Sequence, residues 1–244
     1  AIIDNGAVVN AGEQLDVTAK SVVPNPTTAF IFDFSDPSKA LETIDVLSNG
    51  IDTLLLSSGV FNAAKGSDFA LAAGVNVFDM SNNAEASIAG SASAKNIDVS
   101  ATTETDVVNA AGFDPRNRKP TTGGGSGLGG SINITSLSSD TIASIADGAM
   151  VTAVGDANSD VNVNAQATVN AIEITVAGGK TDKVGVNGAV SLFDAELTTE
   201  ASIGDEATVS AQHDVNVTAD NDIDILNVAG GFVKSGSLGV GASV

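Results

Sequence analysis

The chain has 244 residues with no Cys, Trp or Tyr, and it sets thirty acidic side chains against ten basic ones, for a net charge of −20. That balance excludes nucleic acid, whose phosphates need a basic face, and argues against anionic membrane surfaces. The lack of Cys rules out disulfides and thiolate chemistry, and no apolar run approaches the roughly 18 residues of a membrane helix, so no membrane insertion is expected.

With nine Phe as the only aromatics, the interior must be built from Val, Ile, Leu and Ala. Small and β-branched side chains suit thin, regularly stacked strands better than a globular core. No signal peptide opens the chain, and Ala1 reads as an internal cut or a processed end.

The first element is Ala1-Ile2-Ile3-Asp4-Asn5-Gly6-Ala7-Val8-Val9-Asn10-Ala11, followed by the alternating strand Leu15-Asp16-Val17-Thr18-Ala19. Next comes an irregular insert over about 20–50, which holds Pro24, Pro26 and Pro37 with Phe30, Phe32 and Phe34. Asp36 as cap and Pro37 as first residue predict a short helix from Pro37 to about Leu47.

A weaker copy of the opening motif begins at Ala86-Ser87-Ile88-Ala89-Gly90 and leads to Ile97-Asp98-Val99-Ser100-Ala101. A second insert, over about 112–130, carries Arg116, Arg118 and Lys119 and then six glycines from Gly123 to Gly130, which read as a flexible loop. All five prolines fall in the two inserts. Proline cannot donate to a ladder, so its exclusion elsewhere supports continuous sheet.

The motif returns at Ala143-Ser144-Ile145-Ala146-Asp147-Gly148-Ala149 and again at Ala201-Ser202-Ile203-Gly204-Asp205-Glu206-Ala207. Each is followed by its strand, Val161-Asn162-Val163-Asn164-Ala165 and Val215-Asn216-Val217-Thr218-Ala219. Val176-Ala177-Gly178-Gly179 is echoed by Val228-Ala229-Gly230-Gly231, and Phe78-Asp79 by Phe193-Asp194 two repeats later. The repeat of about 57 residues divides into three coils of about 19, which predicts an all-β, right-handed parallel β-helix with apolar residues stacked inside. Both ends cut the repeat, so the chain reads as a segment of something longer.

Candidate chemistry is sparse. His213 is the single histidine; with no second His and no Cys to complete a zinc site, it reads as a solvated turn. The acidic runs Asp156-Ala157-Asn158-Ser159-Asp160 and Asp220-Asn221-Asp222-Ile223-Asp224 offer candidate Ca²⁺ ligands, with Asp220, Asp222 and Asp224 foremost, but neither matches an EF-hand loop and both read first as solvated turns. Asn133-Ile134-Thr135 and Asn216-Val217-Thr218 match a glycosylation acceptor. The glycine run lacks the Lys-Ser/Thr ending of a phosphate loop. No acid–base pair is singled out by spacing, and without Trp or Tyr sugar stacking would fall to Phe, so no enzyme is expected; a polysaccharide-active β-helix enzyme is the least favoured alternative.

The cycle of Ala-Ser-Ile-x-Asp-Gly-Ala, then Asp-Val-x-Val-x-Ala, then Val-Ala-Gly-Gly resembles the repeats of large bacterial exoproteins of the filamentous-haemagglutinin-like and leukotoxin-like adhesin families. The likeness covers most of the chain outside the inserts. It implies secretion to a bacterial cell surface or extracellular matrix and a structural role in adhesion or cell–cell cohesion. The expected partner is a glycan or protein of a host or neighbouring cell, or further copies of the chain in a fibre. The alternative is a glycan- or protein-binding module whose contacts lie in the inserts, with Phe30, Phe32, Phe34, Arg116, Arg118 and Lys119 as candidate binding residues.

Overall fold

A computed structural model of the chain describes residues 1–24, 58–61, 64–112, 121–123 and 125–244. The helix expected from Pro37 to Leu47 lies outside the described residues. Every described element is a strand, and the paired strands run parallel in three sheets. This is a parallel β-helix.

Sheet I contains β1 (Ile2–Ile3), β6 (Phe69–Ser81), β7 (Ala84–Ile88), β11 (Ser126–Ile145), β14 (Val184–Ile203) and β17 (Leu238–Ser243). Sheet II stacks the short strands β2 (Val8–Asn10), β8 (Ser91–Ala94), β12 (Met150–Ala153) and β15 (Thr208–Ala211). Sheet III contains β3 (Gln14–Val23), β9 (Asn96–Gly112), β13 (Val161–Thr181) and β16 (Val215–Ser235), with the short pieces β4 (Ser58–Phe61), β5 (Lys65–Gly66) and β10 (Thr121–Gly123).

The register corrects the expected coil length. Ser87 sits on Ser144 and Ser144 on Ser202, steps of 57 and 58 residues. One repeat is therefore one whole coil, not three. Each coil runs along sheet I, crosses the short sheet II and returns along sheet III, so sheets I and III face each other as two long walls. In the third coil those walls are 20 and 21 residues long, against 4 for the strand of sheet II.

The two inserts leave and rejoin one strand path. β3 pairs through Val23 with Thr105, and β4 resumes the same column with Ser58 on Asn109. In the next coil Gly112 pairs with Val176, and β10 resumes with Thr121 on Gly179.

The apolar core fills the wide end, where all three sheets meet. Ile88, Ile97, Val99, Ala143, Ile145, Val151, Val161 and Val163 are all essentially inaccessible there. At the opposite edge sheets I and III converge on tight turns, and the six-glycine run proves to be largely strand rather than loop. A Cβ at Gly127 would lie 2.7 Å from Thr181 Cγ2, and one at Gly185 2.7 Å from Val233 Cγ1. Glycine is needed because the walls approach too closely for a side chain.

Coils are also tied together outside. On sheet III Asn162 Nδ2 donates to Asp98 Oδ1 at 2.7 Å, and Asn216 Nδ2 donates to Asn162 Oδ1 at 3.0 Å. Gln14 Nε2 extends this ladder to Asp98 Oδ2 at 3.0 Å.

Two outcomes follow from this packing. Val163→Asp puts an unpaired charge where the parent side chain has no exposure, at a cost of roughly 5 kcal/mol, comparable to the whole net stability of a domain. The outward Asn164→Asp should melt close to the parent; thermal circular dichroism compares them. The second outcome concerns the turn between sheets I and II, where Gly6 and Gly148 have φ of 80° and 69° and Glu206 takes φ 58° at the matching position. Glu206→Gly should raise the melting temperature, by about 1 kcal/mol in stability, because only the glutamate strains in that region.

Candidate functional site

Alternation along a strand sets two faces but not which face is inside. Over the outer half of sheet I, toward the tight edge, the order is reversed from the usual one. Along β6 the inward positions are Ala70, Ala72, Gly74 and Asn76, and the outward ones Phe69, Leu71, Val75 and Val77. β11 stacks Leu128, Ile132 and Ile134 on Leu71, Val75 and Val77. β14 adds Val186, Val190 and Leu192, and β17 adds Leu238 and Val240.

The result is an aliphatic grid across four strands. Its members are far from buried: Val77 is 65% exposed, Leu71 61%, Leu192 55% and even the central Ile132 38%. None of its outward positions is charged. Contiguous apolar surface of this kind marks an interaction site more often than chance exposure does. Between its two central rows runs a column of small residues, Ala73, Gly130, Gly188 and Ala242. Other exposed aliphatics, Val215, Val217, Ile223 and Ile225, are inward positions of the last coil, in register with buried Val161, Val163, Val169 and Ala171.

Behind the grid, the space between the walls is polar. Glu173 is fully buried; its Oε1 accepts from Asn109 Nδ2 at 3.3 Å, and its Oε2 accepts from Asn133 Nδ2 at 3.4 Å and Ser191 Oγ at 3.3 Å. Asn76 Nδ2 donates to Asn133 Oδ1 at 2.8 Å, and Asn109 Nδ2 also donates to Thr135 Oγ1 at 2.7 Å. A second polar layer joins Thr103 to Thr141 at 2.6 Å and Asn82 Nδ2 to Thr105 Oγ1 at 2.8 Å. Asn133 is therefore an interior hydrogen-bonding residue and not a glycosylation acceptor in the folded chain, whereas Asn216 is exposed.

Burial pushes the Glu173 carboxyl above its ordinary range, while hydrogen bonds from Thr135, Asn109 and Ser191 pull the other way. Asn109 Oδ1 is buried with no hydrogen-bond partner.

His213 lies in an exposed turn, as its sequence context predicts, and it is paired there. Its Nδ1 lies 2.8 Å from Asp160 Oδ1 on the coil below and 3.3 Å from Asp214 Oδ2. The hydrogen bond to Asp160, with the charges of both carboxylates, raises the imidazole above its usual value. The Asp160 carboxyl is held low, first by the Asp214 backbone N–H and then by His213. Among the described residues this is the one His/Asp/Glu group whose ligand atoms lie within 4.8 Å of one another. The Asp160 oxygen nearest the imidazole is already engaged: Asp160 Oδ1 accepts from Asp214 N at 2.9 Å, just as Asn96 Oδ1 accepts from Asp160 N at 3.1 Å one coil earlier. The group repeats a coil-to-coil ladder position, and the ladder accounts for it.

Asp220, Asp222 and Asp224 fall on the outward side of β16, in register with Gln166, Thr168 and Asn170. Strand geometry spaces such neighbours about 7 Å apart, and they do not converge as ligands. Phe30, Phe32, Phe34, Arg116, Arg118 and Lys119 lie outside the described residues. The grid, the strongest feature of the surface, went unrecognised in the sequence although its alternation is visible in Val75-Asn76-Val77 and Ile132-Asn133-Ile134.

Compared with protein-family models, curated proteins and solved structures, the chain matches none.

The buried carboxyl gives a pH prediction. A raised native value means that the contribution of Glu173 to stability is fully present below its unfolded value of about 4.3 and is lost as pH rises through the native value. Glu173→Gln keeps the volume, removes the charge and offers a donor to Asn109 Oδ1. The variant should match the parent near pH 4 and melt progressively higher than it toward pH 8 in paired thermal melts. A constant difference across that range would remove Glu173 as the titrating group.

Proposed function

We propose that this chain is a structural and adhesive segment of a secreted cell-surface protein, a stiff solenoid that presents the aliphatic grid of sheet I for cohesion. The observation that carries this reading is the grid itself, uncharged and exposed on a molecule with a net charge of −20. Acidic surfaces keep such a chain dispersed, so an uncharged aliphatic face of this extent on the same molecule is best explained by a partner that covers it. The likeness of its repeats to those of large bacterial adhesins supports the same role and the extracellular setting. The stacked coils supply rigidity, since each coil is braced by its neighbours through continuous ladders.

Attachment of beads coated with the chain to whole cells, at physiological salt, tests the proposal. The triple variant Val75→Thr, Ile132→Thr and Val190→Thr keeps β-branching while placing hydroxyls at the grid centre. It should abolish saturable attachment without lowering the melting temperature. Replacing Arg116, Arg118 and Lys119 with Ser should leave attachment intact. Attachment that survives the first change and disappears with the second would move the adhesive contact to the second insert.

A further inference from the structure

Resting on the adhesive reading of the grid, we propose that its partner is the grid of a second copy, packed face to face with the strands of the two copies antiparallel.

Three observations lead there. The first is size. The nine positions from Phe69 to Val77 at about 3.3 Å each, across four strands about 4.8 Å apart, make a face of roughly 30 by 19 Å. Two such faces would hide on the order of 1,100 Å² in total, which clears the threshold of about 1,000 Å² for a specific interface and sits at its modest end.

The second is relief. The small-residue column from Ala73 to Ala242 forms a shallow furrow between the row that begins at Leu71 and the row that begins at Val75. A twofold axis that shifts one face by a single row sets a ridge of each copy into the furrow of the other. An isologous contact of this kind uses one patch twice and closes on itself.

The third is charge. The border beyond Val77 and Leu192 exposes Asp79, Asp194 and Glu196 on the same outward face as the grid. Shifting by one row requires a twofold axis along the coil stack, which reverses the strand direction and sets these acidic borders against the turns of Asp68, Asp182 and Lys183 at opposite ends of the contact. With parallel strands the acidic borders of the two copies would lie on each other. Acidic borders and the large negative charge also disfavour an anionic lipid surface as the occupant.

Sedimentation of the full chain from low to high micromolar concentration at physiological salt should show a monomer–dimer equilibrium. The Val75→Thr, Ile132→Thr, Val190→Thr variant should weaken it by about tenfold or more, because polar groups at the centre of a desolvated patch carry most of the cost. Orientation is read by disulfide formation in this cysteine-free chain. Phe69→Cys mixed with Asp79→Cys should cross-link under mild oxidation and Asp79→Cys alone should not; cross-linking of Asp79→Cys alone would give parallel strands and overturn the orientation. A parent that stays monomeric throughout overturns the proposal; if its beads still attach to cells through the grid, the adhesive reading stands and the partner is a different surface. Dimerisation with grid-independent attachment supports the interface and removes the adhesive reading. Grid-dependent co-sedimentation of a monomer with phosphatidylcholine vesicles overturns the proposal in favour of lipid.

Discussion

Everything in this molecule depends on register. Because one repeat is one coil, equivalent residues are stacked by the backbone ladder itself, as Val161 is on Ile97 and beneath Val215. A slip of a single residue would turn every inward side chain outward. The short sheet and the turn at Gly148 hold this register at one end, and the glycines that let the walls converge hold it at the other. Side chains reinforce it from outside, with Asn162 and Asn216 linked down the stack and Lys95 Nζ 2.9 Å from Asp156 Oδ2.

A fixed register makes the reversed half of sheet I intelligible. Pleating forces one set of residues toward sheet III and the other toward solvent. Near the wide end the inward set is apolar and the third sheet completes a conventional core. Further out only two walls remain; Val107, Leu137 and Val169 are still buried between them, but hydrogen bonds cross the space as well: Thr103 to Thr141, Asn109 to Thr135, and Ser131 Oγ to the Val176 carbonyl at 3.2 Å. Buried polar groups of this kind are tolerable only when nearly all are paired. Given that interior, the aliphatic residues between them have nowhere to point but outward.

The fold was legible in the sequence because repeated motifs align one for one with stacked positions: Ala-Ser-Ile at residues 86, 143 and 201 lies in one column. The length of the coil was not. Stretches such as Ser100 to Val107 carry no Gly or Pro, and alternation alone gives no sign of whether a wall is five residues long or twenty. The glycine run is illegible for the opposite reason, since Gly127 looks like a loop residue until Thr181 on the facing wall supplies the crowding that requires it, and Gly129 until Asn187 on the adjacent strand does. The grid stayed hidden because Val and Ile are assigned inward by default, and only the partners of Asn76, Asn133 and Glu173 on facing strands reverse that assignment. His213 was likewise unreadable alone, because Asp160 reaches it from 53 residues away across a coil boundary.

The polar layers between the walls also bear on temperature. Unfolding a protein raises its heat capacity through apolar exposure and lowers it through polar exposure. Here a substantial part of what unfolding uncovers is amide, hydroxyl and carboxyl, and part of the aliphatic surface already meets water in the folded chain. The heat-capacity increment should therefore be small for a chain of 244 residues, and the stability curve correspondingly shallow. Such a curve falls away slowly on both sides of its maximum, so the coil stack should resist cooling as well as heating better than an oil-filled domain of equal length.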